Sequence, residues 1–345
     1  MTFSTHPFEL LTPCFAGGAN PTAGVAEIRP SSIRGLLRWW FRIVGGSRTE
    51  EAEVFGRAAG ASGVASALVI RVSNTQGIGT PQDLLEYTGA NEENEALRHE
   101  ESYFLWPLRR KKHSCLRPNR DNIARFDLHL GWRRPVLSSV REKLELAFAL
   151  WSMLGAIGSR SLKGYGSVWP CLQMPTTESE LAGKLSALPP GSVRIWRDRL
   201  QNPRAGLAFA ATELRRLRCG TNRFAHYGLH PSTHGQPDHD TAANVLNGNP
   251  GVNSVFRPVL GLPLKQTFGN GTVETNWNGV SRLASPMHIK IGRLDTGYCV
   301  LSVFFDAKAI QHGDTLTLDT GNRSKPVTLD WGLWNHIKTL GRPLR

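Results

Sequence analysis

The sequence predicts an α+β fold. Three observations carry this expectation. A chain of 345 residues with 40% hydrophobic content is long enough to bury two cores of ordinary size. Short β-branched runs alternate with stripes of helical period along its first half. Its 35 glycines and 21 prolines break the pattern often, so many loops and few long helices are expected.

Phe8 to Phe15 reads as a first strand that ends at Gly17-Gly18, and Val25 to Ile28 as a short extended piece. Pro30 then opens a helix with Ser31 or Ser32 as its cap, and Gly45-Gly46 closes it. In this helix Ile33, Leu36, Leu37, Trp40, Phe41 and Val44 form one apolar face. A second amphipathic pattern spans Glu51 to Phe55, and Ala67 to Val72 reads as a strand. Residues 74–122 read as an insertion, acidic first (Glu86, Glu92, Glu93, Glu95, Glu100, Glu101) and then basic (Arg109, Arg110, Lys111, Lys112, Arg117, Arg120). Phe126 to Leu130 is a further strand. A long helix follows, with Ser139 and Glu142 as a capping box and Gly155 as its end. The glycine-rich segment GAIGSRSLKGYGSV leads into an extended piece, Val168 to Gln173. This order is that of one β-α-β-β-α-β unit with decorations.

Beyond Glu178 the signal weakens. Val193 to Leu217 mixes apolar positions with many arginines, and Cys219 to Ser254 reads as a long loop. SPMHIKI (285–291) and YCVLSVFF (298–305) read as paired strands, and Trp331 to Leu340 as a last short helix. The expected domains are 1–175 and 176–345.

Lys and Arg outnumber Asp and Glu by 41 to 28, a net charge of +13. That balance favours a polyanion as partner. Arg34, Arg38 and Arg42 recur every fourth residue on one helix face, with Arg29 just ahead, and no carboxylate lies within that helix. Arg34 also sits in the first turn, against the helix dipole. A row so placed suits phosphates; a solvated face is the plainer alternative. Trp39 lies between the faces and either packs at the core boundary or stacks on a base. Gly158, Ser159, Arg160, Lys163 and Gly164 offer backbone N–H groups and cations to a phosphate, or else form a structural turn. Arg109 and Lys111, in the basic run ending at His113, are further candidates.

Several chemistries are disfavoured. The glycine spacing fits neither GxxxxGK[ST] nor GxGxxG after a strand. Nucleophile-elbow and HExxH patterns are lacking. The five cysteines are scattered without a CxxC pair, which argues against a disulfide framework or a cysteine zinc site and fits a reducing cytoplasm. His226, His230, His234 and His239 are interrupted by Gly228, Pro231 and Gly235, so no shared helix face and no metal site is expected. No cofactor is implied. No apolar run reaches membrane-spanning length, and the first residues lack the pattern of a signal peptide. Metal-free RNA cleavage would need a histidine acid or base, and His6, His113, His226 and His288 are available without one being singled out.

Three blocks together resemble the RAMP superfamily of CRISPR-associated proteins. ELLTPCFAGGANP…AEIRPSSIRGLLRWWFR is similar to the opening of the first subunit of the Cmr (type III-B) effector module. GAIGSRSLKGYGSV resembles the superfamily's glycine-rich loop, and VLGLPLKQTF with RLASPMHIKI resembles that subunit's C-terminal half. The resemblance implies two ferredoxin-like (RRM-like) halves. It implies a non-catalytic subunit that contacts guide RNA, target RNA or both near the guide 3′ end, beside other RAMP subunits. On it, Arg34, Arg38 and Arg42 face RNA phosphates, Gly158, Arg160, Lys163 and Gly164 form the loop near the guide, and Arg282 and His288 are further contacts. Sister subunits cut target RNA with a loop aspartate; the loop 16–21 here offers Asn20 and no carboxylate. The alternative is a metal-independent endoribonuclease of the same superfamily that processes guide precursor RNA.

Overall fold

The apolar patterning builds a mixed α+β chain. The computed structural model describes residues 2–18, 25–58, 63–109, 112–118, 124–219, 230–249, 254–262, 264–278, 280, 283–305 and 311–344. In order the elements are β1 (Phe3–Leu10), α1 (Pro30–Ile43), α2 (Arg48–Phe55), β2 (Leu68–Gln76), β3 (Ile78–Gln82), α3 (Leu84–Thr88), α4 (Glu93–Arg98), α5 (Ser102–Leu105), β4 (His113–Arg117), β5 (Arg125–Trp132), α6 (Ser138–Leu154), β6 (Val168–Pro170), α7 (Glu178–Lys184), β7 (Val193–Leu200) and α8 (Pro203–Arg218). There follow α9 (Gly235–Asn247), β8 (Ser254–Val255), β9 (Leu264–Phe268), β10 (Gly271–Asn276), β11 (Met287–Leu294), β12 (Gly297–Phe304), β13 (Thr315–Asp319), β14 (Ser324–Leu329), α10 (Gly332–Ile337) and β15 (Arg342–Pro343).

The chain divides into two compact units, one of Met1–Ala208, Ile289–Leu301 and Pro343–Arg345, the other of Phe209–His288 and Ser302–Arg342. In the first unit one sheet has the order β2-β5-β1-β6, with every neighbouring pair antiparallel. One face of it is apolar by strand alternation: Phe8, Leu10, Phe126, Leu128, Leu68 and Ile70 are buried. Onto that face pack α1, through Ile33, Leu37, Trp40 and Phe41, and α6, through Val140, Leu144, Ala147 and Trp151. A second sheet has the order β11-β12-β7-β15. Both sheets trace the same path. Numbered along the chain, each sheet's strands lie side by side as 2-3-1-4, with helical connections after the first and third strands. That is the connectivity of a β-α-β-β-α-β unit.

The other unit carries a five-stranded sheet, β8-β14-β13-β10-β9, antiparallel except for the β8–β14 pair. Beside it lies α9, whose buried Asp238 accepts hydrogen bonds from Phe256 N (2.7 Å), Arg257 N (2.8 Å) and Arg257 Nε (3.0 Å).

Several local expectations are corrected. The first strand spans Phe3–Leu10, not Phe8 to Phe15. The apolar run continues past the strand because its exit loop is itself buried, with Leu11, Cys14 and Phe15 at most 4% exposed. α1 begins after Arg29, whose side chain makes no capping bond, with Pro30 at the first helical position. α6 begins at Ser138 behind Leu137, without the Ser139–Glu142 box. The loop expected over Cys219 to Ser254 contains α9; its Gly235 and Pro237 fall in the first turn, where a missing N–H costs nothing, and Gly248 ends it in a left-handed conformation.

Candidate nucleic-acid interface

A cleft of about 420 Å³ opens in the first unit, where four segments meet. One wall is the exit loop of β1, with Phe15 and Gly17. The second is the extended approach to α1 and its first turn: Glu27, Arg29, Ser32 and Leu36. The insertion supplies Leu108, His113 and Ser114, and the glycine-rich loop supplies Gly158, Ser159 and Arg160. Of the residues picked out in the sequence, the fold thus brings Arg29, Gly158, Ser159 and Arg160 to one place. With no acid in its first turn, α1 presents the positive end of its dipole there.

The glycine-rich loop is shaped by the protein's own backbone. Ser159 N donates to Phe15 O (2.8 Å), Gly166 N to Pro13 O (2.8 Å) and Ile157 N to Gly166 O (2.8 Å). Thr12 Oγ1 and Ser167 Oγ both donate to Gly164 O, at 2.7 and 2.8 Å. Gly158 has φ +88°, and a Cβ on it would lie 2.5 Å from Phe15 O. The close approach that glycine permits is therefore to the β1 exit loop. Arg160 takes φ +64° without being glycine, a conformation that costs about 1 kcal/mol. It places a strained cation at the cleft's rim. Lys163 forms a parallel bridge to Ile289, with Nζ 5.8 Å from the Phe104 ring centre.

The arginine row of α1 has a different setting from the one its helix alone suggests. Glu51 of α2 receives both Arg38 Nε (3.1 Å) and Arg42 Nε (3.5 Å). Arg38 also donates to Gly56 O and lies over the Phe55 ring, and Arg34 Nη1 donates to Phe55 O (3.5 Å). Burial lowers the Arg34 pKa, and the charges of Arg38 and Arg133 add to that. One carboxylate against three guanidiniums leaves the row cationic, yet its side chains are held on α2 and the turn after it. Trp39 sets its ring edge-on to Trp40, 5.1 Å between centres. Arg109 pairs with Glu93 and lies 4.9 Å over the Trp106 ring. His288 packs on Phe305, 4.7 Å between ring centres. Lys111, Arg282, Asn20 and His226 lie outside the described residues. His234 and His239 contact Phe256 and Phe268, and among the described residues no group of three His, Cys, Asp or Glu is placed to hold a metal.

Two buried charges, neither marked by local sequence, support the loop. Glu101 of the insertion is fully buried. It accepts from Tyr87 Oη (2.9 Å), Tyr165 Oη (2.6 Å) and Arg204 Nε (2.8 Å). Burial, above all, pushes both phenols above their usual range. Tyr165 stands between Gly164 and Gly166, so this carboxylate ties the insertion to the glycine-rich loop. Lys290 of β11 is also fully buried, and its Nζ donates to Gly155 O (2.5 Å) and Val168 O at the two ends of that loop.

Burial holds the Lys290 ammonium well below the usual lysine range. The unfolded chain then binds this proton more tightly than the folded one. Its contribution to stability therefore grows as pH rises from the folded value towards the ordinary 10.5. Urea unfolding of wild type and Lys290→Met at stepped pH isolates it: wild type is expected to gain on the variant as the solution becomes alkaline. A difference independent of pH would show an unperturbed ammonium.

Among the described residues no helix is long and apolar enough to cross a membrane. A comparison with curated proteins gives no match. Among solved structures the chain is similar to Cmr1 from Pyrococcus furiosus in its apo form, at 17% identity, covering 90% of each chain with a TM-score of 0.55. The two share a fold. A chain of the Type III-B Cmr-beta complex bound to cognate target RNA matches at 12% identity, over 94% of this chain and 95% of that one, with a TM-score of 0.47. Residues 7–169, which contain most of the first sheet, all four walls of the cleft and the glycine-rich loop, match the family model of the RAMP superfamily. The chain's likeness to the RAMP superfamily lies in this segment.

Proposed function

We propose that this protein is a non-catalytic, cytoplasmic RNA-binding subunit of a type III CRISPR effector, working beside other RAMP subunits. In this reading the cleft seats the backbone of guide RNA, target RNA or both. The convergence of Arg29 and Arg160 with the hydroxyls of Ser32 and Ser159, from segments far apart in sequence, carries it. Two guanidiniums, hydroxyl donors and a helix N-terminus are the groups that phosphates take. The fold shared with Cmr1, the RAMP segment and the net charge of +13 support the same conclusion. The row Arg34, Arg38 and Arg42 is a secondary cationic surface, because Glu51 offsets part of its charge.

Filter binding of the full chain tests this. Arg29→Ala with Arg160→Ala is expected to weaken binding of unrelated single-stranded RNAs alike, by about tenfold or more, and to flatten the salt dependence by about one to two in log–log slope. Unchanged affinity would reject the cleft as the site. His113 is the observation that favours the second reading, since it puts an imidazole in the same cleft. The RNA is expected to stay intact in EDTA; cleavage abolished by His113→Ala would instead establish a metal-independent endoribonuclease.

A further inference from the structure

Glu27 is a carboxylate in a cleft otherwise furnished for phosphate. Its backbone is pinned: Glu27 N donates to Ala16 O (2.8 Å), and Ala26 bridges Gly17. Ala26 and Ile28 are buried on one side of this extended stretch, so Glu27 and Arg29 project to the other, into the cleft. The carboxylate reaches over Gly18, with Oε2 2.5 Å from where a Cβ on that residue would stand. Among the described residues no cation lies within ion-pair distance of it.

An ionised carboxylate only accepts hydrogen bonds. Beside a polyanion it costs affinity unless it meets a donor. RNA presents one such donor beside every phosphate, the ribose 2′-hydroxyl, and DNA lacks it. Resting on the reading of the cleft as an RNA-backbone site, we infer that Glu27 accepts a hydrogen bond from a ribose 2′-hydroxyl while Arg29 and Arg160 hold the adjoining phosphate. The cleft then selects RNA over DNA, and Glu27 is its specificity-determining residue. In a deoxyribose strand the same carboxylate faces phosphates without compensation, so it discriminates by repulsion as well as by attraction.

The test is equilibrium binding of the full chain to oligouridylate and to oligodeoxyuridylate of equal length. Wild type is expected to prefer the ribose strand by about tenfold, as for one hydrogen bond to a charged group. Glu27→Ala should reduce the preference to about twofold or less, chiefly by binding the deoxy strand better, and Glu27→Gln, which keeps an acceptor oxygen, should retain part of it. Glu27 is exposed, so neither change threatens the fold. An undiminished preference in Glu27→Ala, or none in wild type, overturns the inference. The cleft itself is judged separately by Arg29→Ala with Arg160→Ala, which must weaken both strands and leave their ratio unchanged. If those changes move neither strand, the cleft reading falls, and this inference with it.

Discussion

Replacing Glu101 with alanine is expected to lower the stability of the protein by about 3–5 kcal/mol, because two buried hydroxyls left without an acceptor cost about 1–3 kcal/mol each and a charge-assisted bond is lost as well. The carboxylate is fully buried, and three donors converge on it. Without it the hydroxyls of Tyr87 and Tyr165 stay buried with no acceptor, and Arg204 loses its partner. The reciprocal change, Arg204→Ala, leaves the fully buried carboxylate without a counter-charge, so a loss of similar size is expected. Tyr165→Phe removes one donor and leaves the ion pair, so about 1 kcal/mol is expected. Urea unfolding of the three variants gives this order. Equal losses in all three would mean that Glu101 acts only by filling space. Under the proposed RNA-binding role, Glu101→Ala should also weaken RNA binding under conditions where the chain remains folded, because Tyr165 lies in the glycine-rich loop.

Gly166→Ala is expected to cost about 3 kcal/mol or more. Gly166 has φ +65°, and a Cβ there would lie 2.0 Å from Ile157 O, an atom of rigid backbone. Ile157 cannot retreat without breaking the hydrogen bond from its N to Gly166 O, which closes the loop. Gly183 is the control: it lies in α7 with nothing within 4 Å of its missing Cβ. Alanine at 183 should stabilise by about 0.5–1 kcal/mol, because the unfolded chain loses freedom and the helix gains propensity. Unfolding midpoints that move the same way in both variants would refute the steric argument at 166.

The fold was legible wherever one element's own residues carry the signal. The stripe Ile33, Leu37, Trp40 and Phe41 marks α1, and β11 and β12 show as a pair of apolar runs. Boundaries were less so. The apolar run after β1 looks like more strand, since burial in a loop and burial in a strand leave the same residues behind. Ser139 and Glu142 have the spacing of a capping box, but α6 starts two residues earlier, with Leu137 as its cap position. α9 is masked in the sequence because its first turn holds Gly235 and Pro237, residues that elsewhere break helices.

The candidate cleft was legible in its ingredients and not in its arrangement. Arg29, Ser159 and Arg160 stood out as cations and small polar residues beside glycine, and they do meet. The arginine row on α1 carries no acid within its own helix, yet the turn at Gly45-Gly46 brings Glu51 of α2 against it. The insertion showed only as charge blocks; that Glu101 ties it to Tyr165 has no local signature.

By itself the sequence determined the α+β class, the helical and extended periods that build the first sheet, the basic excess, and the glycines that the loop requires. These are properties of neighbours along the chain, set by side-chain spacing and backbone sterics. Only the tertiary structure decided which charges are spent internally and which line the cleft. Ion pairing and desolvation depend on what lies within a few ångströms in space, and the partners here come from far away: Arg204 reaches Glu101 across 103 positions, and Arg293 reaches Glu9 across 284.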